Sequence, residues 1–289
     1  MRDRPLCAEL SLEREEPLGA TASHIDHWVL VEYRGLWSRD PAGGSALPDA
    51  VKAHLREQLA ARPRSRLLFI RRPDRRREAG LVCFFGSTPE RGGRFDRVDL
   101  EAHQDLLELD FRTPADAVEH PLLIVCTHGK RDRCCARYGR PLYDALRDLV
   151  EPAWLWQATH VGGDRFAGNL VCFPHGLYFG RVGPGEAAPL LEEYLAERVA
   201  LERYRGRCCY PFPVQAAEEA VRSAARLTGI DDVRLRSAEE AEGGWRVVLV
   251  GGAASYEVEV KTELGELTYL TCSATELKRP VRYAARILR

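Results

Sequence analysis

The segment PLLIVCTHGKRDRCCARYGRPLYDALRDLV, residues 121–150, decides how the chain is read. Leu122 to Cys126 form an unbroken apolar run of strand length, the pattern of a central strand buried on both faces. Leu142, Leu146 and Leu149 then recur at helical spacing, which predicts a helix over 139–150. The loop between them carries three of the nine cysteines: Cys126, Cys134 and Cys135. A loop that hands a strand over to a helix lies near the helix N-terminus, where free N–H groups and the dipole favour thiolates and anionic centres. Lys130, Arg131 and Arg133 add positive charge. Gly129 and Gly139 allow the backbone to fold closely around a bound group.

Downstream, AWLWQATHVGG reads as a strand and turn, NLVCFPHGLYFGRV as a hairpin built on Pro174, His175 and Gly176, and GEAAPLLEEYLAERV as a helix. The order strand, helix, three strands, helix is that of a thioredoxin-like unit. The loop THVGGDRFAGN, residues 159–169, follows the second strand and is expected to open on the same sheet edge as the cysteine loop. It offers His160 and Asp164, four residues apart, around the turn-forming pair Gly162 and Gly163. Two thiolates from one loop and an imidazole from the next make a metal site.

Upstream, HWVLVEYRG, RSRLLFIRRP and GLVCFFGS read as strands and ALPDAVKAHLREQLAA as a helix. The GRCCYPFPV stretch reads as a linker because two prolines and a glycine interrupt any regular pattern. Beyond it come a helix closed by Gly229 and four short strands at 232–236, 245–250, 255–261 and 266–272. The expected fold class is α/β (α+β). It comprises an N-terminal α/β portion (1–115), a thioredoxin-like ferredoxin unit (116–205), a linker (206–214) and a small α+β module (215–289). No internal repeat is evident in the sequence.

Composition narrows the function classes. With 289 residues and 45% hydrophobic content the chain can bury a large core, and its apolar runs fall far short of the roughly 20 residues that span a membrane. The charged N-terminus, MRDRPLCAELSLEREEP, lacks an apolar stretch of signal-peptide length, so a cytoplasmic location is expected. Of 42 basic residues only four are lysine, and the net charge is −1. The run RRPDRRREAG is therefore read as a solvated loop, not a nucleic-acid patch, since no sustained basic field supports it. In a reducing compartment, clustered cysteines point to metal or redox chemistry. Cys7, Cys83 and Cys272 stand alone and are read as ordinary thiols, and the pair Cys208 and Cys209 as incidental.

Together, CTHGKRDRCCA, HVGGDRFAGNLV and PHGLYFGRV resemble the sucrase/ferredoxin-like family, whose members resemble thioredoxin-fold [2Fe–2S] ferredoxins. The resemblance covers most of residues 20–205. It implies a [2Fe–2S] cluster held by a Cys-x8-Cys pair and a His-x3-His pair, which fall on Cys126, Cys135 and His160, with Asp164 at the second histidine position. Because carboxylate is an uncommon ligand for such clusters, the fourth ligand is left among Asp164, Cys134, His175 and His128. Cys134 is read as a spectator, since neighbours in an extended loop point opposite ways. His128 serves equally well as a hydrogen-bond donor to a sulfur.

The implied function is a ferredoxin-like one-electron carrier or sensor, proton-coupled through its imidazole, that exchanges electrons with a partner protein and is not a catalyst with a substrate of its own. Two alternatives stand beside it. The thiols could exchange disulfides, although the Cys-x-x-Cys spacing is lacking, or the same donors could hold a structural zinc. No carboxylate pair suggests glycosidase chemistry.

Overall fold

The computed structural model describes residues 4–289, the side chains of residues 76 and 77 aside. The first residues of the charged N-terminal stretch thus lie outside the described residues, and its middle forms helix α1 (Cys7–Glu13). The chain continues as β1 (His27–Glu32), α2 (Asp49–Ala60), β2 (Ser65–Arg71), β3 (Leu81–Ser87), β4 (Arg94–Leu100) and the two-residue β5 (Asp116–Ala117). Then come β6 (Leu122–Cys126), α3 (Arg133–Arg147), β7 (Leu155–Ala158), β8 (Leu170–Phe173), β9 (Leu177–Phe179), α4 (Ala187–Leu195) and β10 (Tyr204–Arg207). The C-terminal part holds α5 (Phe212–Ala225), β11 (Val233–Ala241), β12 (Gly244–Gly251), β13 (Ala254–Leu264) and β14 (Val281–Ile287). This is the mixed α/β class the sequence predicts.

Ten strands form one sheet in the order β10-β9-β8-β6-β7-β2-β1-β3-β4-β5. In its second half β6 pairs in parallel with β7 on one side and antiparallel with β8 on the other, and β9 follows β8. That is the thioredoxin-like arrangement, with α3 crossing from β6 to β7. The first half repeats it: β1 lies parallel to β2 and antiparallel to β3, β4 lies beyond β3, and α2 makes the crossover. The halves meet where β2 and β7 pair antiparallel, through Ile70 opposite Ala158 and Arg71 opposite Gln157. The topology thus carries a duplication, related by a local twofold, that the side chains hide.

One sheet face buries Val29, Val31 and Phe69 against Val51 and Leu55 of α2, and Leu123, Val125 and Leu155 against Leu142 and Leu146 of α3. The other face closes on itself. Phe95 of β4 and Phe173 of β8 stand 4.6 Å apart although five strands separate theirs in the sheet, and Trp28 meets Phe173 at 4.9 Å. The accumulated twist of so many strands curls the sheet. The aromatic side chains fill the hollow.

Three elements depart from the expected pattern. Helix α3 begins at Arg133, not at 139, because Asp132 caps it: its Oδ1 accepts the Cys134 N–H at 2.9 Å. Gly139 does not stop the helix; it lets it lie on the end of β6, where a Cβ would come within 2.0 Å of the Cys126 carbonyl oxygen. Helix α5 ends at Arg226 in the left-handed region (φ 55°), not at Gly229, because Arg222 draws the following carbonyls of Leu227, Gly229 and Ile230 onto its guanidinium. The fourth strand of the small antiparallel sheet is β14; residues 266–272 are irregular, joined only by an isolated bridge between Thr268 and Lys278.

The stretch read as a linker is also ordered. Its first residues belong to β10, and the rest leads directly into α5, which packs Val214, Ala217 and Val221 on Val247, Leu249 and Val258. The arginine-rich run at 71–80 passes between β2 and β3 with one short 3-10 turn. Among the described residues no helix is long and apolar enough to cross a membrane.

Candidate metal centre

Parallel neighbours end on the same sheet edge, so β6 and β7 deliver their following loops side by side. Cys126 is the last residue of β6, Cys135 lies in the first turn of α3, and His160 follows β7 by two residues. One donor atom from each lies within 4.8 Å of the others. Both sulfurs are buried and the imidazole is 21% exposed. Asp164 opens a 3-10 turn, Asp164–Phe166, and its carboxylate enters the same space. Its Oδ1 stands 2.9 Å from His160 Nδ1 and accepts the Cys135 thiol at 3.2 Å.

Glycine is required at the turn that brings Asp164 in. Gly162 and Gly163 have φ of 102° and 75°, and a Cβ on Gly163 would strike the guanidinium of Arg205 at 2.3 Å. Arg205, in β10, is fully buried. It donates to the Gly162 carbonyl (3.1 Å), to Asn169 Oδ1 (2.8 Å) and to Thr21 through its carbonyl (2.5 Å) and Oγ1 (3.0 Å). Burial pulls its pKa down to about 10, which leaves it charged at neutral pH. Arg205 therefore ties the His160 loop to the N-terminal segment and places a positive charge beneath the donors. One arginine among many, in a stretch without a motif, bears no mark in the sequence.

The electrostatics favour a charged donor set. A hydrogen bond from Cys135, the largest influence, lowers the Cys126 pKa, and His160 and the His128 backbone N–H support the thiolate against the cost of burial. Cys135 is correspondingly held above its ordinary value by Cys126 and burial. Burial opposes protonation of His160, but its bonds with Asp164 and Cys126 outweigh this and raise its pKa to about 9. Burial likewise opposes ionisation of Asp164, and the bond with His160 wins, lowering its pKa. Cys126, His160 and Asp164 thus support one another's charged forms.

The other candidates are elsewhere. His175 sits in the β8–β9 turn, at the opposite end of β8 from the centre, with Nδ1 3.0 Å from the Tyr194 hydroxyl. Burial of the His128 ring lowers its pKa; its Nε2 lies 2.8 Å from the Ser38 carbonyl oxygen, while Nδ1 is buried without a partner. Cys134 does face away from this centre, as read from the sequence, but from a helix and not from an extended loop. Because Cys134 and Cys135 occupy a helical turn, their side chains diverge by about 100°, and Cys134 turns toward Cys7 and Cys272, which the sequence leaves as scattered thiols.

Buried thiol and imidazole donors thus gather at the strand ends of a thioredoxin-like sheet, in an arrangement that could hold a metal ion. The chain belongs to the sucrase/ferredoxin-like family, whose profile matches residues 18–206, well over half its length. Among curated proteins it is 29% identical over 119 residues to altered inheritance of mitochondria protein 32 of Meyerozyma guilliermondii, a match covering 37% of this chain and 42% of that protein. The namesake of Debaryomyces hansenii is 30% identical over 95 residues, covering 29% and 35%. The matches thus take in less than half of those relatives. Among solved structures, the thioredoxin-like [2Fe–2S] ferredoxin from Aquifex aeolicus is 17% identical, with a TM-score of 0.29, over 32% of this chain and 97% of that one.

Proposed function

We propose that this protein is an iron–sulfur redox protein, a one-electron carrier or sensor whose [2Fe–2S] cluster is held by Cys126, Cys135, His160 and Asp164. The observation that supports it most is the convergence of two buried thiols, an imidazole and a carboxylate from two adjacent strand-end loops. The donor set fits the group: two thiolates suit one iron, a nitrogen and an oxygen donor suit the other, and a helix N-terminus offsets their charge. Such a cluster supplies reversible one-electron transfer, at a potential raised by imidazole ligation.

The chain's own residues do the rest. The apolar floor of Ile124, Val161 and Ala158 excludes water from the sulfurs. His160, 21% exposed, can exchange a ring proton with solvent, which couples charge at the centre to pH. The exposed Arg133, Arg137 and Arg140 on α3 line an open surface pocket with Arg4, a basic face that suits an acidic partner protein. Nine unpaired cysteines suit a reducing compartment such as the cytoplasm. Disulfide exchange is disfavoured because Cys126 and Cys135, each 1% exposed, offer a substrate disulfide no line of attack.

Protein purified under anaerobic conditions is expected to be reddish-brown, with about two irons and two acid-labile sulfides per chain. The compactness of Cys126, Cys135 and His160, with Asp164 bonded to two of them, favours one other occupant, a single tetrahedral zinc. Colourless protein with zinc lost on Cys126→Ser would replace the cluster by that ion. The fourth ligand is tested separately. Asp164→Ala is expected to lower metal retention at least about 10-fold and Asp164→His to restore it, while His175→Ala leaves it unchanged. Full retention in Asp164→Ala would remove Asp164 from the ligand set.

A further inference from the structure

A second group of donors lies behind the first turn of α3, on the side away from the candidate cluster. Cys7 comes from α1, Cys134 from α3 and Cys272 from the irregular segment between β13 and β14. Their sulfurs form a nearly equilateral triangle: 3.5 Å from Cys7 to Cys134, 3.4 Å from Cys134 to Cys272, and 3.6 Å from Cys272 to Cys7. Asp132 closes the group, with its carboxylate oxygens 3.7 and 3.8 Å from Cys7 Sγ. All four donors lie within 4.8 Å of one another.

From this geometry we infer a second metal site, a closed Cys3Asp site for a thiophilic divalent cation of the zinc class. A tetrahedral zinc with Zn–S bonds of about 2.3 Å separates its sulfurs by about 3.8 Å, so the observed triangle needs to open only by a few tenths of an ångström. A disulfide would bring one pair together and leave the third sulfur out; three near-equal edges favour a shared central ion. Thiolates and carboxylate are donors zinc accepts, and binding expels the remaining thiol protons to solvent.

The surroundings are those of a metal–thiolate site. Cys7 N–H donates to Cys272 Sγ at 3.5 Å. Asp132 is oriented from both sides, Oδ1 accepting the Cys134 N–H at 2.9 Å and Oδ2 the Cys272 N–H at 2.6 Å. Arg4 grips the carbonyls of Cys272 (2.5 Å) and Ala274 (2.8 Å), fixing the segment that brings the third thiol. Ala8, Ala167, Leu6 and Tyr138 pack around the group and keep it dry. The ion would join the N-terminal helix, α3 and a segment from the C-terminal module. Since Asp132 also caps α3, it would hold the turn that carries Cys135.

The site is independent of what occupies the first centre. Full-length protein is expected to hold one zinc per chain by atomic emission in addition to whatever metal the first centre holds, and Cys7→Ser and Cys272→Ser each to lose that one equivalent. Cys126→Ser should keep it. Cobalt added alone to chelator-treated Cys126→Ser protein should give thiolate-to-cobalt charge-transfer absorption that the Cys126→Ser/Cys272→Ser double variant lacks. Should the variants fail to fold, alkylation of the wild type decides: the half-exposed Cys272 is expected to react at least tenfold faster after chelation. Zinc content unchanged in Cys272→Ser, a disulfide among the three thiols, or no uptake of either metal would overturn the assignment.

Discussion

Cys126→Ser protein is expected to lose the metal of the first centre altogether, at least a hundredfold in content, while remaining folded. A serine hydroxyl does not ionise near neutral pH and is a harder donor than the thiolate it replaces. The position allows no substitute. Cys126 ends the central strand β6, its backbone N–H is bonded to the Asn169 carbonyl at 3.1 Å, and Gly139 of α3 lies against its own carbonyl, so the backbone cannot shift to bring another donor in. The loss also breaks the network that distributes charge among Cys135, His160 and Asp164, because the Cys126 thiolate supports the imidazolium. Elemental analysis with the visible spectrum provides the check. A variant with the parent's spectrum and metal content would exclude Cys126 as a ligand and with it the proposed centre.

Arg205→Met is expected to cost about 3–5 kcal/mol of stability, because it strands several buried acceptors at once, each worth roughly 1–3 kcal/mol when left unsatisfied. The acceptors are the Gly162 carbonyl, the Asn169 side-chain oxygen and both oxygens of Thr21. For a chain of this size the melting temperature should fall by roughly 5–8 °C. Metal retention should fall with it, since Gly162 and Asn169 flank Asp164 on the loop that also carries His160. Arg205→Lys should recover only part of both, as one ammonium cannot reach Thr21 and Asn169 in the planar fork that arginine uses. Thermal unfolding and metal content of the two variants decide the matter. If Arg205→Met melted within a degree of the parent, the arginine would not be holding the loop.

The sequence made local chemistry legible and left distant pairings unseen. The buried strand and the opening of the His160 loop on the same edge were readable from apolar periodicity and strand order, whereas singling out Cys126 and Cys135 among three loop cysteines rested on the family resemblance. The start of α3 was not, since the apolar spacing of Leu142, Leu146 and Leu149 does not reach its first turn, and the Asp132 cap and the close approach of Gly139 to β6 show only in the folded chain. Cys7 and Cys272 are 265 positions apart and lack a shared motif, so only the folded chain brings them to Cys134. The fourth C-terminal strand was misplaced because residues 266–272 carry the apolar residues of a strand, while their backbone runs out to meet Asp132. The structural duplication was hidden for a general reason: backbone topology outlives the side chains that first encoded it.

That duplication has a bearing on how the molecule associates. A thioredoxin-like unit standing alone would expose its second strand as a row of unpaired N–H and C=O groups, a template for adding another chain. Here β2 and β7 occupy each other's open side. The outer strands left on the large sheet offer little. β5 has two residues, and β10 has four, shifts register at Gly206, and is overlaid by Thr21 and Ala22, whose N–H groups bond to the Arg205 carbonyl. The sheet therefore offers little edge at either end for continuous strand pairing with another chain.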